Sequence, residues 1–169
     1  GNTNIAKLYY GSTEIKKVYA GTELIYENNI IATYQIGSPV ASDVTATLYD
    51  DGLLEFDGSG DMMTFGSSSS NRVPWYSNRN DITSISFKQG NTIQPTSTTY
   101  LFYNLKSVID IDLSNLDTSK VTNMGHMFEG CYRLATLNLS NFNTANVTDM
   151  NNMFRYCQTG LTSLDLSSF

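Results

Sequence analysis

The sequence predicts a β-rich N-terminal cap followed by a short solenoid of stacked repeat units. Three observations lead to this fold class: a 26-residue repeat near the C-terminus, a ten-residue repeat at the N-terminus, and alternating apolar runs between them. We therefore divide the chain into β-hairpin decapeptide repeats at 1–27, a β-rich cap domain at 28–100 and a solenoid at 101–169. The solenoid would hold about two and a half coils, with the last one truncated.

The repeat near the C-terminus is the strongest signal in the chain. Ten of the 19 positions from 113 to 131 recur unchanged 26 residues later, without a gap. A period of this length is typical of coils that stack, because each coil can bury its apolar side only against its neighbours. The repeated residues are Leu113, Ser114, Asn115, Thr118, Val121, Thr122, Met124, Met127, Phe128 and Cys131.

Each repeat unit combines an alternating segment with a segment of helical spacing. Leu137 and Leu139 alternate with polar residues, which predicts a strand. Met150, Met153 and Phe154 have helical spacing, which predicts a short helix or turn on the opposite side. One strand and one helical turn per unit are the plan of a leucine-rich repeat. We therefore predict a short leucine-rich-repeat solenoid, with a parallel sheet of strands about 4.8 Å apart and a core of Met and Phe columns.

Short β-rich runs are also expected at the N-terminus. Within residues 1–27, the pattern around Ile5 and Tyr9 returns ten residues later. Glycine-containing pairs at 11–12 and 21–22 separate the copies, which predicts consecutive hairpins.

The cap domain carries the signals of further strands. Val44–Tyr49 and residues 53–57 flank an Asp-Asp-Gly sequence, which is a hairpin turn signal. The alternation of Ile82, Ile85 and Phe87 predicts a strand that leads into the first coil.

Composition and cysteine placement exclude several classes of protein. The formal charge is −6 and no basic stripe exists, so we expect no nucleic-acid partner. No apolar run approaches the length of a membrane span, so we expect no membrane insertion by this segment, and no leader sequence opens it. Cys131 and Cys157 occupy the same repeat position, which favours two buried thiols over a disulfide bridge.

The chain lacks a recognisable catalytic set, so we expect no enzyme activity, cofactor or metal. Its single histidine, His126, aligns with Asn152 of the next unit and therefore has no repeated partner, which favours a surface or loop role. Polar residues do recur on the exposed side of the predicted strands, where they are either a solvated face or a surface for a ligand. The candidate ligand-facing positions form two columns, one of Asp112, Asn138 and Asp165 and the other of Asp110, Thr136 and Ser163.

Several segments resemble the BspA-like leucine-rich-repeat surface proteins of bacteria. Residues 48–61, Val-Pro-Trp-Tyr at 73–76 and Ile-Thr-Ser-Ile at 82–85 look like the N-terminal cap of that group. Residues 137–150 and 153–157 resemble its 26-residue repeat. The resemblance covers about residues 40 to 169 and implies a secreted or surface-attached protein whose solenoid takes part in adhesion or host contact.

The sequence departs from the usual leucine-rich pattern at one column. Leu116, Phe142 and Phe169 stand where many such repeats have a buried asparagine. We therefore expect an apolar spine rather than an asparagine ladder.

Together these observations predict a non-enzymatic interaction or adhesion module at the bacterial cell surface, outside the cell. Its partner would be a protein or glycan of a host or neighbouring cell. The C-terminal coil edge could also pair with a second copy. Because the opening decapeptides are similar to segments of phage tail and surface proteins of Gram-positive bacteria, the alternative is a tail or virion component that contacts the cell envelope.

Overall fold

The computed structural model describes residues 9–10, 13–14, 17–20 and 23–169, with side chains from residue 28 onward. Two short 3-10 helices, Ala41–Asp43 and Pro74–Asn78, are the helical elements of this part of the chain, and it holds no helix long and apolar enough to cross a membrane. The described strands, in chain order, are β1 (Tyr9–Tyr10), β2 (Thr13–Glu14), β3 (Lys17–Ala20), β4 (Glu23–Glu27), β5 (Ile30–Gln35), β6 (Gly37–Ser38), β7 (Val44–Tyr49), β8 (Leu53–Gly58), β9 (Asp61–Met62), β10 (Ser84–Phe87) and β11 (Asp110–Ile111).

The N-terminal strands form two antiparallel ribbons. Strand β1 pairs with β2, and β3 pairs with β4 through a register shift between Val18 and Tyr19. The glycine-containing pairs at 11–12 and 21–22, where we expect the hairpin turns, lie outside the described residues.

The cap is built on a five-stranded mixed sheet with the order β11-β10-β8-β7-β5. Strands β7 and β8 form the predicted hairpin, and Gly52 closes its turn at a φ of 86° that a residue with a side chain rarely adopts. The predicted alternation is also present, since Val44, Ala46 and Leu48 are buried and the residues between them are not.

Strand β10 marks the change from the cap to the repeats. It runs parallel to β8 on one side and to β11 on the other, and Ile85 pairs with Ile111 at a separation of one repeat. A strand is therefore present where Ile85 and Phe87 predicted one, whereas Ile82 lies before it.

The expected parallel sheet does not extend through the repeat region. Strand β11 has two residues, and the equivalent segments at 136–138 and 163–165 are not strands. Of the two predicted alternatives for the Met-x-x-Met-Phe-x-x-Cys segments, a short helix or a turn, the structure has the turn, with bonds from the amide of Met127 to Met124 O and from the amide of Cys131 to Phe128 O. Polar residues interrupt each short apolar run and bond to the nearby backbone, and this competes with continuous pairing.

Successive units nevertheless contact one another in register. Asn123 forms parallel bridges with Ser97 and with Asp149, one repeat away on either side. The amide of Phe102 donates to Met127 O at 2.9 Å, and the amide of Phe128 makes the equivalent bond to the following unit at 3.0 Å. The region is therefore repetitive, and its pairing consists of separate bridges rather than a ladder.

Two left-handed backbone positions in each unit accompany these bonds. In the first column, Tyr100, His126 and Asn152 all have φ between 57° and 60°. In the second, Asn104, Gly130 and Tyr156 have φ values of 60°, 79° and 63°. This conformation is uncommon outside glycine, so its recurrence every 26 residues shows that the units share one backbone course.

The predicted Phe column packs as a core stack. Phe102 and Phe128 are fully buried with ring centroids 5.6 Å apart, and the half-buried Phe154 stacks on Phe128 at 5.7 Å. The same buried cluster runs without a break from Ile36 to Cys157, so the cap and the repeats share apolar contacts. The division of the chain into three parts stays a prediction.

One prediction about the core needs correction, because the structure holds an asparagine ladder as well as an apolar spine. Leu116 and Phe142 are buried as expected. One residue earlier, Asn115 Nδ2 donates to Phe87 O at 3.0 Å and Asn141 Nδ2 donates to Leu113 O at 2.9 Å. The amide side chains therefore satisfy carbonyl groups of the preceding unit beside the apolar spine.

Candidate interaction surfaces

All six predicted ligand-facing residues are exposed. In one column, Asp112 and Asn138 each accept a bond at 3.0 Å from the amide two residues later, and Asp165 accepts the same bond at 2.9 Å. This bond to Ser167 also lowers the pKa of the Asp165 carboxyl, because it favours the charged form. The column thus presents three similarly held polar side chains, about one repeat apart.

The other predicted column is less regular. Asp110 lies in β11, whereas Thr136 and Ser163 lie in segments without strand pairing. The prediction that a continuous strand face carries both columns was therefore wrong, and the first column is held by local turns instead.

A second surface, which the sequence analysis missed, is a cluster of arginine and tyrosine side chains. Pro74 opens the 3-10 helix Pro74–Asn78, and the buried Trp75 anchors it to the core. The helix holds Tyr76 so that Arg72 Cζ lies 4.1 Å, and Arg79 Cζ 4.3 Å, from the centre of its ring. Both contacts are in the range of cation–π attraction.

Neither arginine of this cluster is neutralised by a carboxylate within the described part of the chain. Arg72 Nη2 donates to Ser67 O at 2.8 Å, and Arg79 Nη1 donates to Tyr76 O at 2.9 Å. The Nε atoms of both side chains are buried and make no hydrogen bond to the residues described. Aromatic and carbonyl groups therefore hold two cations that no carboxylate of the described residues pairs with.

The cluster continues onto the repeats through tyrosine rings. Tyr76 stacks on Tyr103 with centroids 6.3 Å apart, and Tyr103 meets Tyr100 edge-on at 5.2 Å. Burial raises the pKa of the Tyr103 hydroxyl, and the nearby Glu129 adds to that rise. The surface thus joins the cap to the first repeat unit.

His126 lies on a turn, as predicted, but its ring is engaged. It stacks on Tyr100 at 4.4 Å, and its Nδ1 contacts Glu129 Oε2. Glu129 is buried and also faces Arg155 Nη1 at 3.5 Å. These contacts give the histidine a structural role in packing one unit against the next.

Both cysteines are buried and unbridged, as the sequence predicted. Cys131 Sγ donates to Phe102 O at 3.2 Å, and Cys157 Sγ donates to Phe128 O at 3.1 Å. Burial raises the pKa of each thiol. The two side chains therefore stay protonated inside the core.

The spacing of residues in the sequence could have predicted the arginine–tyrosine cluster. Arg72, Tyr76 and Arg79 are spaced by four and three residues beside a proline, and arginine is rare in this chain. Such spacing places three side chains on one side of a helical turn. The asparagine ladder also had a signal, because Asn115 and Asn141 belong to the repeated set.

Comparison with known proteins gives one structural neighbour and one family. The chain is similar to a solved leucine-rich repeat protein from Eubacterium ventriosum, with 23% identity and a TM-score of 0.45 over 72% of this chain. It spans 26% of the length of that protein, and no curated protein matches it. The narrower BspA-like resemblance stays a prediction. The model of the family described as "Mycoplasma protein of unknown function, DUF285" matches residues 75–168, which are 94 of the 169 residues, so the chain belongs to this family.

Proposed function

We propose that this protein is a non-enzymatic interaction module at the outer surface of a bacterial cell. Its repeat region would be part of a BspA-like leucine-rich-repeat solenoid that presents exposed side chains to a protein or glycan of another cell. The observation that carries the proposal is the column of Asp112, Asn138 and Asp165, whose members are exposed and held by the same turn bond.

This column has the properties of a recognition surface. Each side chain uses one oxygen to accept the amide two residues later, so its orientation is partly fixed and it has less conformational freedom left to lose. A ligand that binds such a fixed array loses less conformational entropy than one that must first order the side chains. The spacing of about one repeat also lets an extended partner meet all three positions.

The state of the reactive side chains supports a role without catalysis. General acid–base and nucleophilic chemistry need an accessible nucleophile beside a base. Both thiols are buried and hydrogen-bonded to carbonyls, and His126 is occupied by Tyr100 and Glu129. No observation on the described residues favours the alternative of a virion component, so we do not propose it.

A binding screen on arrays of matrix proteins and glycans tests the proposal. We expect saturable binding by the unchanged chain and a loss of about tenfold or more when Asp112, Asn138 and Asp165 are changed together to alanine, equivalent to about 1.4 kcal/mol.

A matched control keeps the test specific. Asp43, Asn80 and Asp81 are exposed residues of the same types, and their side chains form no hydrogen bond to the residues that the structure describes. Changing these three to alanine should leave binding intact. Binding that survives the column variant, or a folded chain that binds nothing on either array, would contradict the proposal.

A further inference from the structure

The two arginines over Tyr76 are a local excess of positive charge in an acidic protein. The chain has a formal charge of −6, yet Arg72 and Arg79 lie within 4.3 Å of one ring centre and have no carboxylate partner among the described residues. Arg72 Nη1 and Arg79 Nη2 make no hydrogen bond to that part of the chain either. Guanidinium groups bind carboxylates strongly and in a fixed geometry, so this pair is suited to an anionic group from outside.

Arg72 also forms part of the wall of a groove in the cap. The groove has a volume of about 390 Å³ and lies between the short ribbon of β6 and β9 and the 3-10 helix that carries Tyr76. Much of its lining is apolar, from Ile36, Met63, Phe65 and Pro74. Met63 is 42% exposed, and a flexible methionine at a groove can adapt to an apolar side chain.

We propose that this groove and the two arginines together form a docking site for an acidic peptide segment of a partner protein. An apolar side chain of the segment fills the groove beside Met63 and Phe65, and neighbouring carboxylates pair with Arg72 and Arg79. The inference rests on the proposed function in so far as the chain binds partners, but it uses a surface distinct from the Asp112 column.

The lining of the site favours a peptide over a sulfated sugar. A sugar bound through stacking needs an open aromatic face, and two guanidinium groups already lie over the ring of Tyr76. Polar side chains from Gln35, Thr64, Ser70 and Asn71 also line the groove, but most of its surface is apolar and suits an apolar side chain of a peptide. A segment that combines apolar and acidic side chains matches both halves of the site.

Nuclear magnetic resonance of the whole chain tests the inference directly. The probe is the peptide acetyl-Phe-Asp-Asp-Leu-amide, and the matched control peptide replaces both aspartates by asparagine. We expect the acidic peptide to shift the Nε–H signals of Arg72 and Arg79 and the methyl signal of Met63 in a saturable manner. The asparagine peptide should leave all three signals unchanged over the same concentrations.

Single substitutions distinguish the contribution of the arginine charges to peptide binding from that of apolar packing in the groove. Arg72→Gln and Arg79→Gln should each weaken binding of the acidic peptide about tenfold, and Met63→Gln should weaken it while both charges remain. Arg133→Gln removes the same charge from an exposed position and should have no effect. Circular dichroism of each variant shows whether the fold is retained, and Arg72→Lys provides a milder change if the glutamine variant does not fold.

The outcomes distinguish this inference from the proposed function. Equal binding of both peptides, unchanged affinity in both folded arginine variants, or a response to inorganic sulfate and heparin fragments without one to the acidic peptide would each overturn it. The variant with alanine at Asp112, Asn138 and Asp165 should still bind the acidic peptide. Loss of array binding in that variant therefore concerns the column, whereas loss of peptide binding in the arginine variants concerns this site.

Discussion

Phe128 lies at the centre of the aromatic stack that joins three repeat units. It is fully buried, with Phe102 on one side and Phe154 on the other. We predict that Phe128→Ala lowers the free energy of unfolding by about 3–5 kcal/mol, because it removes a large buried side chain and leaves a cavity between units. Urea denaturation followed by circular dichroism measures this.

The same substitution at an exposed ring is the control. Phe169 stacks on Phe142 at 6.3 Å but is 38% exposed, so Phe169→Ala should cost much less than Phe128→Ala. Similar losses in the two variants would mean that the stack at Phe128 is not the core of the repeats.

The buried thiols make stability depend on pH in the alkaline range. Burial raises the pKa of Cys131 and of Cys157, whose ordinary value is 9.0. The unfolded chain therefore releases these protons near that value while the folded chain keeps them, so the free energy of unfolding falls as pH rises above it. Urea titrations at several alkaline pH values should show this fall, and Cys131→Ala should make it shallower.

Labelling with a thiol reagent gives an independent readout. We expect neither cysteine to react in the folded chain at mildly alkaline pH and both to react in urea, because the thiolate is the reactive form. Rapid labelling of Cys131 in the folded chain would contradict its burial.

The sequence predicted which repeat positions are buried, but it did not predict the direction in which individual side chains point. The repeat correctly placed Cys131 and Phe128 in buried columns. It did not reveal that the side-chain amide of Asn115, next to the buried Leu116, bonds to a carbonyl of the preceding unit, since adjacent positions of an irregular segment have no fixed alternation. Likewise, the approach of Arg72 and Arg79 to one ring depends on a turn whose geometry no periodicity specifies.

At the scale of the repeat unit, the asparagine ladder is the polar counterpart of the apolar columns. Asn141 Nδ2 donates to Leu113 O at 2.9 Å and lies 3.3 Å from Leu116 O, so one amide serves two carbonyls of the unit before. We predict that Asn141→Ala lowers the free energy of unfolding by about 1 kcal/mol, since a partly buried hydrogen bond is lost while Leu113 O keeps its bond from the amide of Leu116.

A second asparagine serves as the control for the ladder. Asn146 Nδ2 also bonds to a carbonyl one unit away, Ser119 O at 2.8 Å, but this bond is exposed, so water can replace it. Asn146→Ala should therefore cost less than Asn141→Ala in the same denaturation experiment. If both variants lose the same free energy of unfolding, the bonds of the ladder contribute no more than an exposed hydrogen bond.

Elements with strong β patterns were predictable, whereas the short repeat segments were not. Val44–Tyr49 alternates over six residues and forms strand β7 as expected. The Leu137-x-Leu139 segment has only two apolar positions, and the side-chain oxygen of Asn138 accepts a hydrogen bond from the amide of Ser140. In a segment this short, local side-chain bonding outweighs strand pairing, so only separate bridges remain.

At the scale of the whole molecule, a shared core joins the cap to the repeat units. One buried cluster includes Trp75 and Phe56 of the cap and Phe102 of the first unit, and Phe56 meets both rings edge-on. A repeat unit cannot bury its apolar face alone. The cap covers the first unit, and each unit then covers part of the next.

The last unit has no such cover within the described structure. Phe154, Leu161 and Leu164 are only half buried, and Leu166 and Phe169 are 44% and 38% exposed. An apolar face of this kind beside an open backbone edge favours association. We therefore predict that the chain self-associates through this face as its concentration rises, which sedimentation velocity up to millimolar protein can measure.

The backbone at this edge indicates the geometry of the association. In the preceding unit, the amides of His126 and Phe128 donate to carbonyls one unit further on, whereas the equivalent amides of Asn152 and Phe154 have no such acceptor among the described residues. A second copy could supply carbonyl groups that accept these two amides and apolar side chains that cover the exposed face.

Charge placed on this face should prevent the association. Leu166→Lys and Phe169→Lys together should keep the chain monomeric, because two cations would have to be buried against an apolar surface. Ile109→Lys is the control, since Ile109 is 49% exposed in the first unit and lies away from the last one, so this variant should associate like the unchanged chain. If the unchanged chain stays monomeric at millimolar concentration, or if the double lysine variant associates equally well, then the face of the last unit is not a contact between copies, and its apolar residues are simply exposed.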